Sequence, residues 1–348
     1  MNEKTKKLIG NILKPIMTIL ISLVIGALLI IPTGASPIEA YSVLFEGAFG
    51  SVNNFYNTLA RSTPLIFTGL AAAFAFKAGV FNIGIEGQLY MGAMAAALTG
   101  IYLGGLPTII VIPACLIAAM IAGMLWAALP GLLKTKLDIN IVITCIMMNS
   151  IAQLFTDYLA TYPFKGELPI GATHKISEAA MLPRMMERSE LNLGFILAII
   201  LALVLYVVIF KTKFGYESRA FGLNQAFAKY IGIHPVRKMM VVLFISGMIA
   251  GLAGAEQVMG VNYRFISNFS NGYGFTGITV ALLGRHNPIG VILAALFFGA
   301  LNNGAIQMEV MTNISRDLIA SLQAIMIILL AAEQFVLPRF KRKGGKTE

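Results

Sequence analysis

Residues 211–238 read KTKFGYESRAFGLNQAFAKYIGIHPVRK, a basic, polar stretch between two long apolar runs. Nearly everything around it comes in membrane-length pieces. Of 348 residues, 57% are hydrophobic and 12% charged, against about 25% charged in soluble domains. Apolar runs of about 17 to 28 residues recur, the length that crosses a bilayer core. A soluble fold of this size could not bury so many helices that are apolar on every side. The composition predicts an all-α, polytopic membrane protein.

The formal net charge is +10, but its distribution argues against a nucleic-acid partner. The cations gather beside apolar segments: Lys4, Lys6, Lys7 and Lys14; Lys134 and Lys136; residues 211–238; and residues 339–346. This is the positive-inside pattern, which sets orientation and suits an anionic inner leaflet. It predicts both termini and the 211–238 segment in the cytosol. Cys115 and Cys145 lie within apolar runs, so no disulfide framework is expected. The first apolar run lacks a small-residue cleavage site and ends at Pro32, which reads as a retained span.

Ten spans are expected, near residues 16–32, 62–78, 83–103, 108–133, 140–160, 193–210, 239–258, 273–284, 288–306 and 316–335. They form one transmembrane domain over 1–348. Outer segments include a polar loop with Glu39 and Glu46, the large loop 162–190 with Pro163, Pro169 and Pro183, and residues 260–272. A short helix over 217–230, with Gly222 inside it, is expected in the cytosolic segment, where it offers a docking element. Glycine-broken turns at 79–84 and 284–290 echo one another, as in transporters built from two pseudo-repeated halves. Two ordinary Gly/Pro-rich turns would look the same.

The segment Phe81-Asn82-Ile83-Gly84-Ile85-Glu86-Gly87-Gln88 is the most unusual in an apolar context. A carboxylate in a membrane helix is costly and by default functional. Glu86 fits two roles: a structural one near a helix N-terminus, favoured by the dipole, or a polar contact on a translocation path with Phe81, Asn82 and Gln88. Asn149, Gln257 and Asn303 are amides in apolar helices. They serve either as interhelical glue or as lining for a hydrophilic solute. Asp157, Glu256, Glu309, Asp317 and Glu333 fall near expected span ends and read as solvated anchors.

His174, His234 and His286 stand in three separate loops, without metal-ligand spacing. No catalytic signature is present. The tail Gly344-Gly345-Lys346-Thr347 imitates the end of a P-loop, but the first required glycine would fall at Phe340. No cofactor is implied, and any ATP coupling must come from another subunit. Asn313-Ile314-Ser315 fits a glycosylation sequon of a kind that arises by chance.

Four stretches resemble permease subunits of bacterial ABC importers in the ribose, branched-chain amino acid and nucleoside group. They are 81–88 as quoted; LDINIVIT at 137–144 with Asn149 following; RAFGLNQA at 219–226; and LGRHNPIG at 283–290. The resemblance runs from about residue 60 to 335 and is closest to nucleoside-type permeases that work with a basic-membrane-protein-like lipoprotein. It implies a multi-pass subunit in the bacterial plasma membrane. Its implied partners are an ABC ATPase, a second permease chain (homologous or identical), a solute-binding lipoprotein and the lipid bilayer. It also implies that Arg219, Gly222, Asn224 and Ala226 belong to a coupling helix seated on the ATPase. Residues 225–228, Gln-Ala-Phe-Ala, depart from relatives that carry more charge there.

The solute implied is a nucleoside, with a sugar as the alternative. A different class, a self-contained H⁺- or Na⁺-coupled carrier, would need intramembrane ionisable groups as its machinery. Away from the expected span ends, Glu86 is the sole serious candidate.

Overall fold

The computed structural model describes residues 17, 19–34, 36–312 and short pieces between 314 and 329. The basic N-terminal cluster, the tail after 329, Glu333 and most of the expected tenth span lie outside the described residues. Among those described there is no β-strand, only isolated bridges.

The helices are α1 (Ile19–Ile30), α2 (Pro37–Phe49), α3 (Val52–Lys77), α4 (Ile85–Tyr102), α5 (Thr108–Leu137), α6 (Ile141–Thr161), α7 (Gly194–Lys211), α8 (Lys213–Leu223), α9 (Gln225–Tyr230), α10 (Pro235–Glu256), α11 (Tyr273–Leu283) and α12 (Pro288–Thr312). Proline at the first position starts α2, α10 and α12, where its missing N–H costs nothing. Asn140 caps α6 by accepting from Val142 N–H at 2.9 Å. α5 ends at Asp138, in the left-handed region at φ 51°. The Lys134 ammonium beside it holds its carboxyl below the usual carboxylate range.

Among the described residues, six helices are long and apolar enough to cross a membrane: α3, α5, α6, α7, α12 and α10 with its continuation to Asn262. α1 and α11 are apolar but shorter. α4 has 18 residues and carries Glu86 and Gln88 in its first turns.

Several expectations need correction. The polar loop with Glu39 and Glu46 is helix α2. α3 begins at Val52, ten residues before the expected span, and α12 runs on to Thr312. Beyond Glu256, α10 continues as a π-helical turn, Gln257–Asn262, so the outer segment starts later than residue 260. The single cytosolic helix is two helices, broken at Asn224. There the backbone is extended (φ −156°, ψ 107°) and the side chain accepts from Phe227 N–H at 3.0 Å. Asparagine favours this cap geometry over a helix interior.

The chain divides into two compact units, with boundaries inside α3 and α12. One contains Met1–Phe55 and Ala300–Glu348. In it, Tyr41 donates to Leu23 O at 2.6 Å. Asn303 Nδ2 donates to Gly47 O at 3.0 Å and Asn54 O at 2.9 Å, satisfying a carbonyl at the end of α2.

The other unit is Tyr56–Gly299. Its centre is α4, α5 and α10. A Cβ on Gly251 of α10 would meet Ala119 O of α5 at 2.2 Å, and one on Gly92 of α4 would meet Gly251 Cα at 2.4 Å. Backbones this close admit small residues only, the usual basis of helix packing without a hydrophobic driving force. α3 belongs to the interior, its apolar window 83% buried, whereas the window of α5 is 22% buried. α5 therefore presents Ile109, Ile117, Ile121 and Leu125 outward, as a lipid-facing helix does.

Candidate functional site

α3 stops because Gly79 turns left-handed, at φ 69°, where a Cβ would be penalised. Val80 N–H closes the turn on Ala75 O at 3.0 Å. Asn82 follows, fully buried. Its Oδ1 accepts from Gly84 N–H at 3.0 Å and from Gln88 Nε2 at 3.1 Å. Its Nδ2 donates to Gln88 Oε1 at 3.0 Å and to Ser246 Oγ at 2.8 Å. Ser246 Oγ donates in turn to Ala71 O at 2.8 Å. Two amides facing head to tail thus tie α3, α4 and α10 together. Every polar group is matched, which keeps such a network from destabilising an apolar interior. Phe81, by contrast, is 56% exposed, its ring 4.8 Å from that of Phe76.

Glu86 stands in the first turn of α4, yet its carboxylate serves another helix. Oε1 accepts from Ser270 Oγ and Oε2 from Gly274 N–H, both at 2.6 Å. Gly274 is the second residue of α11. The carboxylate therefore sits on the free N–H groups and positive dipole end of α11. It does from 188 residues away what an N-cap side chain does locally. Asn149 of α6 does the same for α4: Oδ1 accepts from Gly87 N–H and Nδ2 donates to Ile83 O, both at 2.9 Å.

Gln257 opens the π-helical turn, a backbone irregularity frequent at functional sites. Its Nε2 donates to Glu256 Oε2 at 2.8 Å, and Asn192 Nδ2 donates to Glu256 Oε1 at 2.9 Å. Glu256 is 2% exposed, so it is no solvated anchor. The segment before α7 folds Asn192 over it, a contact that span-end reasoning could not foresee.

In the 211–238 segment, Arg219 is half-buried, its guanidinium 5.4 Å from the centre of the Phe210 ring. Gly222 packs on the α3–α4 turn: a Cβ there would meet Lys77 O at 2.7 Å. Asn224 caps α9, and Ala226 is exposed in it. Lys238 is buried and donates to Phe214 O at 3.1 Å and Glu217 Oε2 at 3.2 Å, fixing α8 to α10. Around Asn224 and Ala226 lie Leu223, Phe227 and Tyr230, exposed by 88%, 54% and 89%.

Asn82, Glu86, Gln88 and Asn149 thus converge on the start of α4. Gln257 belongs with Glu256, and Asn303 lies in the other unit. The partners Ser246, Ser270 and Asn192 carry no sequence signal, being ordinary polar residues far along the chain. Lys238 reads in sequence as one more charge among the basic residues of 211–238. Arg61 stands one residue before the expected second span, whereas α3 takes it inside the helix.

Membrane-length apolar helices fastened by buried amides and carboxylates, with an exposed helix pair between two of them, define a polytopic transport subunit. The family described as "Branched-chain amino acid transport system / permease component" matches residues 54–331, and the chain belongs to it. It is a permease subunit of an ABC importer, not itself an enzyme. Membership implies ATPase and solute-binding protein partners. The chain is 38% identical to the guanosine ABC transporter permease protein NupP of Bacillus subtilis, over 97% of this chain and 99% of that one. It is 33% identical to the nucleoside ABC transporter permease protein NupB of Lactococcus lactis, over 98% and 96%. It is also 33% identical to the glucose ABC transporter permease protein TsgB13 of Haloferax volcanii, over 94% and 88%.

Proposed function

We propose that the chain conducts nucleosides across the bacterial plasma membrane, paired with a second permease chain and fed by a solute-binding lipoprotein. The end-to-end similarity to a guanosine permease and a nucleoside permease carries the solute class. The similarity to a glucose permease keeps a sugar as the second reading. We also propose ten spans with both termini in the cytosol, in two pseudo-repeated halves.

The coupling element is 211–238. Arg219 and Gly222 hold α8 to the body, while Asn224 and Ala226 sit in the face presented to the ATPase. Leu223, Phe227 and Tyr230 support this role, because large apolar side chains exposed on a polar segment mark a docking surface. Closure of the ATPases moves α9, and α8 passes that motion to the α3–α4 turn and the Asn82 network. Glu86 and Asn149 keep the N-termini of α11 and α4 fixed beside the route, Gln88 and Gln257 add polar groups to it, and Phe81 adds an aromatic ring; Asn303 is a path candidate within its own unit.

Uptake by proteoliposomes containing the assembled transporter tests this. Guanosine uptake that needs ATP and its binding protein, and that persists with ion gradients collapsed, is expected. Glucose uptake without nucleoside uptake would replace the solute. Uptake abolished by an uncoupler at constant ATP would replace the mechanism with a secondary carrier.

A further inference from the structure

Arg61 is the tenth residue of α3, about 24 Å along the helix from Lys77 at sixteen residues of 1.5 Å each. That puts it in the half of the helix away from the cytosolic turn. One turn further out, at i−4 on the same face, Asn57 Oδ1 accepts from Ser189 Oγ of the outer loop at 2.8 Å. Arg61 Nε is closed off from solvent without a hydrogen-bond partner among the described residues. Nor does any described carboxylate lie within the 4.0 Å of an ion pair.

Tyr273 at the start of α11 is within electrostatic reach of Arg61, and also of Glu86, Glu256 and Glu190. Glu86 is spent on α11, Glu256 is spent on Asn192 and Gln257, and Glu190 is open to water. A guanidinium inside a membrane helix is expensive and normally paired. Here no described carboxylate pairs with it.

We propose that Arg61 is a solute contact. The Nη1/Nη2 edge of its fork reads two adjacent hydrogen-bond acceptors on the solute. Arginine is matched to this pattern, because its fork is planar, rigid and donor-only. On a nucleoside, the O6 and N7 of a 6-oxopurine present that pair side by side. Adenosine replaces O6 with an amine donor, and uridine separates its carbonyls by an N–H. The permease therefore favours guanosine and inosine over adenosine and uridine. This rests on the nucleoside reading above.

The test uses the assembled transporter in proteoliposomes, with uptake of guanosine, inosine, adenosine and uridine measured for wild type, Arg61→Gln and Arg61→Lys, and a melting temperature for each. Both variants should assemble and melt like wild type, and both should lose guanosine and inosine uptake by about tenfold or more, the scale of one bidentate base contact. Adenosine and uridine uptake should change less than about threefold. Equal loss of all four, unchanged guanosine uptake, or failure of both variants to assemble would overturn the role and leave Arg61 a packing residue. Wild-type nucleoside uptake alongside any of these defeats this inference alone. Wild-type transport of glucose and of no nucleoside defeats the nucleoside reading with it.

Discussion

Gly79 and Gly222 meet backbone to backbone: a Cβ built on Gly79 would lie 2.8 Å from Gly222 Cα. The close backbone approach that glycine permits is used here inside the chain. α8 rests directly on the turn that leads to Asn82.

Gly222→Val should therefore destabilise the subunit itself. Its side chain would meet Lys77 O and the Ala78 carbonyl carbon, at 2.7 and 2.8 Å from Cβ, and backbone cannot yield as a flexible side chain does. A loss of about 1–3 kcal/mol, the range for overpacking, should appear as a lower melting temperature of the purified chain. An unchanged melting temperature would mean that α8 is free to lift off the turn.

The exposed face of α9 should behave in the opposite way. Phe227→Ser and Tyr230→Ser remove side chains exposed by 54% and 89%, so stability should change by about 0.5 kcal/mol or less. Co-purification of the ATPase and transport-coupled ATP hydrolysis should fall severalfold. Wild-type ATPase retention in the double variant would remove this face from the docking surface.

Glu86 gives a graded expectation. Glu86→Gln keeps one acceptor oxygen, which serves Gly274 N–H, replaces the other with an NH2 donor facing Ser270, and loses the charge at the dipole end, at a cost of about 1 kcal/mol. Glu86→Leu strands those buried donors, at about 1–3 kcal/mol each. Thermal melts of the two variants should rank wild type above Gln above Leu. Equal melts for all three would separate Glu86 from the stability of α11.

His286 lies in the turn before α12 with Nδ1 buried and unpartnered among the described residues. Burial, with the Lys77 charge adding to it, pushes its pKa down to about 4, from an ordinary value near 6.5. The folded state then binds fewer protons than the unfolded one between those values, so stability rises with pH through that window. The contribution is complete above about 6.5 and lost as the pH falls through about 4. The melting temperature should drop between pH 7 and pH 4.5 more in wild type than in His286→Gln. A parallel drop in both would assign the acid sensitivity elsewhere.

How much of this was legible in sequence depends on where each residue's partner lies. The 81–88 segment stood out because its polar residues interrupt an apolar pattern, and the structure does gather Asn82, Glu86 and Gln88 with Asn149. What Glu86 does could not be read, since its partners lie 184 and 188 residues away and consist of a serine and a backbone amide. The break at Asn224 was readable in principle as a cap, but the helical run on both sides of it masked the signal. α2 was missed because Glu39 and Glu46 made it look like a polar loop. Arg61 was lost to a span boundary placed ten residues late.

The break at Asn224 has a mechanical consequence. α8 is fastened in its first half, by Phe214 O and Glu217 on Lys238, and at its end, by Gly222 on the turn. α9 joins it through one extended residue and seats a single buried side chain, Ala228. Under the coupling role proposed above, a load on α9 reaches the body of the subunit through the single extended residue Asn224, while a load along α8 bears directly on the turn beneath Gly222.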